Sequence, residues 1–209
     1  VELRTAIYAS LNPYKQFLIE ATYKKAGLPN SYYQATARLI SVKCSVNEVP
    51  TSITVSLTRL SGWFGEPLIQ EITEGKNIIS GIFEFVAPFT LEIQLTSFFS
   101  LADMKKTCIK VSNGDTMSIM VVFDNIIPII ANSATGLFDG TIIRIVTGLD
   151  YHACLITDGD IIDLPVMGPV TKGMIPVSVN PTITLEKIGI PSACSLDVVF
   201  TTRKTYLTI

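Results

Sequence analysis

His152 is the only histidine in a chain of 209 residues, so any mechanism that needs two imidazoles is excluded and one histidine-dependent site is the most the chain can hold. The residue types near it are those of thiol chemistry. His152 can serve as a base, Asp163 can orient it, and Cys154 or Cys194 can supply a nucleophile if a thiol comes within hydrogen-bond reach of the imidazole. Cys154 lies two residues from His152, on the same face of a strand. Cys194 precedes a strand pattern, and Cys44 and Cys108 lie inside strands.

These residues fall in GTIIRIVTGLDYHACLITDGDIIDLP, residues 140–165, where Asp158-Gly159 marks a turn between two β-prone runs. The segment resembles the histidine strand and hairpin of the lecithin:retinol acyltransferase and NlpC-like thiol-enzyme superfamily. The resemblance implies a thiol hydrolase or acyltransferase with its cysteine at the start of a helix, where the N-terminal dipole lowers the thiol pKa. No cysteine here is placed that way, so two of the three roles are filled.

Other chemistry is poorly provided for. The four cysteines lack the short paired spacings of a zinc site and read as reduced, buried thiols. Glu66, Glu71, Glu74, Glu84 and Glu92 are too separated to mark a glycosidase pair. Asp158 and Asp160 flank a turn glycine without the ligand spacing of a calcium loop. No glycine-rich phosphate loop and no Asn-x-Ser/Thr sequon occurs. No metal and no cofactor is expected.

The elements that would position these groups are mostly strands. Alternation of two runs through Ile40, Val42, Cys44 and Val46, through Ile53, Val55 and Leu57, and through Leu91, Ile93 and Leu95, which predicts one buried face in each. Asn113-Gly114 predicts a second hairpin. The last strands are read over residues 182–188 and 196–206. One helix is predicted, with Asn12 as N-cap, Pro13 in the first turn, Gly27 and Pro29 as the stop, and Tyr14, Phe17, Leu18 and Ala21 as its apolar stripe. The expectation is a mainly β protein: an antiparallel β-sandwich of jelly-roll or Greek-key type with one capped N-terminal helix. It forms a single domain over residues 1–209, with a candidate seam near residues 125–140.

Hydrophobic residues make up 48% of the chain and charged residues 16%, against roughly 25% charged in an average soluble domain. A surface so weakly charged is covered by neutral polar groups or by other subunits. A net charge of −2 with dispersed pairs such as Lys24-Lys25, Lys105-Lys106 and Arg203-Lys204 gives no nucleic-acid signal. No apolar run reaches the roughly 20 residues of a spanning helix, and the first ten residues do not read as a signal peptide. Gly62-Trp63-Phe64-Gly65 and Phe98-Phe99 place aromatics where they can anchor a protein interface or touch a membrane surface peripherally.

The composition therefore favours a structural or assembly protein that self-associates or joins related subunits, such as a shell protein of a viral capsid or matrix; the sequence assigns no location of its own, and the virion follows only if that shell reading holds. Its general look is similar to small viral coat jelly rolls. The interface candidates are Trp63, Phe64, Phe98 and Phe99. The alternatives are the thiol hydrolase or acyltransferase using His152, Asp163 and Cys154 or Cys194, and a carbohydrate- or protein-binding β-sandwich module.

Overall fold

The computed structural model describes residues 14–24, 31–44, 53–114, 117–130, 135–148, 151–164 and 174–207. They are mainly antiparallel β-structure and divide into two compact units, one of residues 1–66 with 205–209 and one of residues 67–204. Residues 125–140 fall inside the larger unit.

In the smaller unit β1 (Phe17–Tyr23) pairs antiparallel with the first half of β2 (Ser31–Cys44), from Phe17 opposite Ala37 to Tyr23 opposite Ser31. The second half of β2 pairs with β3 (Ile53–Arg59), and Gln34 of β2 lies opposite Phe64 of β4 (Trp63–Glu71). β1 is a correction to the sequence reading, which placed a helix there; the cap residues Asn12, Pro13, Gly27 and Pro29 lie outside the described residues. The apolar residues of this segment fit both periods, since Phe17, Ile19 and Ala21 alternate as well as Phe17, Leu18 and Ala21 repeat. Pairing with β2 selects the period of two, and Phe17, Ile19 and Ala21 are half-buried while Leu18, Glu20 and Thr22 point to solvent.

A second correction concerns β2. Ala35, Ala37 and Leu39 are buried, and so is Val42, because the register slips by one between Leu39 and Ser41. Ile40 is the extra residue of a β-bulge and is turned outward, 60% exposed. Across the ladder Val55 and Leu57 of β3, expected on a buried face, stand 38% and 39% exposed.

The larger unit is built from β5 (Gly75–Ile78), β6 (Ile82–Phe83), β7 (Phe89–Leu95), β8 (Phe99–Ser100), β9 (Cys108–Asn113), β10 (Met117–Val122), β11 (Gly136–Leu137), β12 (Ile142–Val146), β13 (His152–Thr157), β14 (Asp160–Leu164), β15 (Ser178–Val179), β16 (Thr182–Ile188) and β17 (Leu196–Tyr206). One sheet runs β17-β7-β12-β13-β14 and a second β10-β9-β16-β5. Leu91, Ile93 and Leu95 of β7, Ile143 and Ile145 of β12, Leu155 of β13, and Val198 and Phe200 of β17 contribute from the first sheet to one apolar cluster. Ile109, Val111, Ile119, Val121, Ile183 and Leu185 contribute to the same cluster from the second. Each such side chain stabilises the fold by about 1.5–3 kcal/mol through its removal from water.

The helical parts are short: α1 (Leu101–Met104), a 3₁₀ turn (Phe123–Ile126) and α2 (Ile127–Ile130). Ser100 caps α1 by accepting from the Asp103 amide while the Asp103 carboxylate accepts from the Ser100 amide. No helix among the described residues is long and apolar enough to cross a membrane.

Candidate functional site

The hairpin predicted around Asp158-Gly159 is present. Asp158 and Gly159 both adopt positive φ, 49° and 86°, and β13 pairs with β14 on either side of them. Such a two-residue turn matches the right-handed twist of its strands, which is why Asp-Gly specifies it locally. The turn fixes the register, and the register sets Cys154 directly opposite Asp163.

On its other side Cys154 lies opposite Arg144 of β12, and Arg144 lies opposite Glu92 of β7. Asp163, Cys154, Arg144 and Glu92 thus form one row across four strands. The side chains of neighbouring positions Leu164, Ala153, Ile145 and Leu91 point the opposite way, into the core. The Arg144 Nε donates to Glu92 Oε1 at 2.6 Å. His152 begins β13 opposite Val146, two positions from Cys154 and exposed. His152, Cys154 and Asp163 are therefore brought to the same face of one sheet.

The electrostatics of that face do not favour a thiolate. Burial pushes the Cys154 thiol up, Arg144 pulls it back, and the charges of Asp163 and Glu92 raise it further. Cys194 stands elsewhere, with its Sγ 3.4 Å from the carbonyl oxygen of Phe98; burial and Asp103 raise its pKa against a lowering hydrogen bond with Ser97. Cys108 is likewise raised, first by burial. All three are free thiols, and no cysteine opens a helix among the described residues. A hairpin is therefore present where the thiol-enzyme resemblance expects one, but burial raises the three described thiols, opposite to the lowering that such a nucleophile needs. Among the described residues no group of three His, Cys, Asp or Glu side chains is placed to hold a metal.

The aromatic candidates separate. Trp63 is half-buried with the Arg59 guanidinium 5.6 Å from its ring centroid, and Phe64 is half-buried opposite Gln34. Phe98 is 43% exposed and packs against Phe138, itself 51% exposed, at 5.2 Å between ring centroids. Phe99, its neighbour, is wholly buried against Phe123, so its ring belongs to the core.

With this geometry in hand, the fold can be placed among solved structures. It is similar to the Dit protein of phage SPP1, described as a paradigm of the hub adsorption apparatus in phages infecting Gram-positive hosts. The TM-score is 0.55 at 8% identity, over 92% of this chain and 78% of that one. A chain of the phage p2 baseplate, in its activated conformation with Sr, matches with a TM-score of 0.50 at 11% identity, over 100% of this chain and 74% of that one. At such identities the likeness is one of fold. No family model matches the sequence, and no curated protein matches it significantly.

Two features of the surface escaped the sequence reading. Phe138, the partner of Phe98, was detectable only as a lone aromatic before the Asp139-Gly140 turn. Ile161 on β14 is 69% exposed, whereas its neighbour Ile162 is partly covered by the core. β14 ends the order of its sheet, so no further strand is there to cover it among the described residues.

Proposed function

We propose that the chain is a structural protein of a virion, an assembling subunit that works through contacts with copies of itself or with related subunits. The observation that carries this reading is the fold likeness to SPP1 Dit across 92% of the chain. It favours a position in a baseplate or adsorption hub over the capsid or matrix shell suggested by composition alone. The low charge content and the many exposed branched apolar side chains, Ile69, Ile78, Ile161 and Val179 among them, support a surface that is covered in an assembly. The β-sandwich reading is supported by two sheets that share one core in the larger unit, and the proposal keeps residues 1–209 as a single domain containing both compact units.

Trp63, Phe64 and Phe98 are proposed as contact residues; Phe138 joins them through its packing on Phe98. The thiol-enzyme alternative has its hairpin, but burial raises the Cys154 thiol where that chemistry needs it lowered, which leaves assembly the better supported role. The test is light scattering after size-exclusion chromatography over a concentration series. The expected result is a mass several times that of one chain at high concentration, reduced in Trp63→Ala or Phe98→Ser. A strict monomer at every concentration would overturn the proposal.

A further inference from the structure

Among the described residues several strands are paired on one side only, and two of them, β3 and β14, differ in charge. Among the described residues β3 pairs with β2 alone and β14 with β13 alone. Open edges present unpaired backbone N–H and C=O groups and usually carry devices that discourage pairing, such as prolines or inward-pointing charges. Neither strand contains proline, and each carries apolar residues in the open: Val55 and Leu57 on β3, Ile161 on β14.

The charges around the two edges are opposite. The described β2–β3 ribbon holds Arg38, Lys43 and Arg59 and no acidic residue, whereas β14 and its turn hold Asp158, Asp160 and Asp163 and no basic one. The contrast extends to the units that carry them. Residues 1–66 with 205–209 contain seven Lys and Arg against four Asp and Glu, and residues 67–204 contain nine against fourteen, net charges of +3 and −5 that together make the chain's −2.

We infer that β3 of one copy pairs with β14 of a second copy of this chain, extending the sheet across the interface by β-augmentation. Leu57 and Arg59 share one face of β3, and Ile161 and Asp163 share one face of β14 with the same two-residue step. Parallel pairing sets Leu57 beside Ile161 and Arg59 beside Asp163 at once, an apolar pair and an ion pair on one face. Because the surfaces that meet are different, the contact is heterologous, and each copy both donates and accepts an edge.

This inference rests on the self-assembly reading above, and its experiment separates the two. Ile161→Lys and Leu57→Glu are made singly and together, each at an exposed position, and the mass of the full chain is followed by light scattering over a concentration series. Each single variant sets a charge against an apolar neighbour and is expected to weaken association by about tenfold or more. The double variant sets Lys against Glu and is expected to recover most of the loss. A monomeric wild-type chain overturns assembly itself. A wild type that assembles alongside single variants that assemble as well, or single variants that fail without recovery in the double, leaves assembly standing and overturns the β3–β14 contact. Circular dichroism reads folding; a variant that loses the β spectrum is replaced by Ile161→Thr or Leu57→Thr, which keep strand propensity and are expected to weaken association in the same direction.

Discussion

Arg144 and Glu92 face each other on neighbouring strands, joined at 2.6 Å, and the guanidinium stands one strand from the Cys154 thiol. Arg144 is thus shared between a carboxylate it pairs with and a thiol whose pKa it lowers.

Removing either charge should change the thiol in opposite directions. Arg144→Ala is expected to slow alkylation of Cys154 at pH 8 severalfold, and Glu92→Gln to speed it, since each unit of pKa is about tenfold in thiolate fraction below the pKa. Peptide mapping after timed labelling reads this residue apart from the other cysteines. The loss in stability is expected to stay below about 1 kcal/mol, because both side chains are partly open to screening water. Equal labelling rates in both variants would contradict the assignment.

Stability should fall at alkaline pH. Cys108, Cys154 and Cys194 all have thiols raised in the fold, so the unfolded chain loses these protons first. Their contribution is intact below the unfolded thiol value of about 8.5 and is lost as pH rises through the higher folded values. Urea midpoints are expected to decline between about pH 8 and pH 10, with a shallower decline in Cys154→Ala. A flat profile over that range would count against it.

Phe200 is fully buried and stacks on Phe89 at 4.7 Å with 28° between ring planes. Phe200→Ala removes that stack and leaves a cavity, at an expected cost of about 3–5 kcal/mol in denaturant unfolding. A loss below about 1 kcal/mol would mean that the core collapses around the gap.

Two glycines offer a contrast between space and backbone. A Cβ on Gly136 would collide with the Phe99 carbonyl oxygen and press on the Phe98 ring, so Gly136→Ala must displace backbone and is expected to cost more than about 2 kcal/mol. Gly159 has open space around it but a φ of +86°, and Gly159→Ala is expected to cost only about 1–2 kcal/mol. Thermal melts of the two variants rank them, and the reverse order would refute the steric reading.

What could be seen in the sequence was what local chemistry decides. Asp158-Gly159 specified its hairpin because a two-residue turn needs positive φ at both positions, while Asn113-Gly114 marked the right connection by a different geometry, with Asn113 the last paired residue opposite Met117 and only Gly114 of the two at positive φ; Leu91, Ile93 and Leu95 alternate without interruption on a strand buried on one face. The hairpin also carried the pairing of Cys154 with Asp163. What was hidden depends on distant partners. Phe17–Tyr23 fits a helix as well as a strand until β2 pairs with it, and the Arg144–Glu92 contact joins residues 52 apart through a strand order that no local pattern encodes. The exposure of Val55, Leu57 and Ile161 reflects their place on outermost strands, which alternation cannot report.

The bulge at Ile40 also bears on how this chain tolerates changes in length. Ala35, Ala37 and Leu39 before it and Val42 after it keep one buried face although the count between them is odd, so the added residue is absorbed entirely on the solvent side. Deleting Ile40 would restore simple alternation with the same four residues inside. At this point of β2 the loss of one residue is silent to the interior, so the ribbon can shorten by one while keeping the same core.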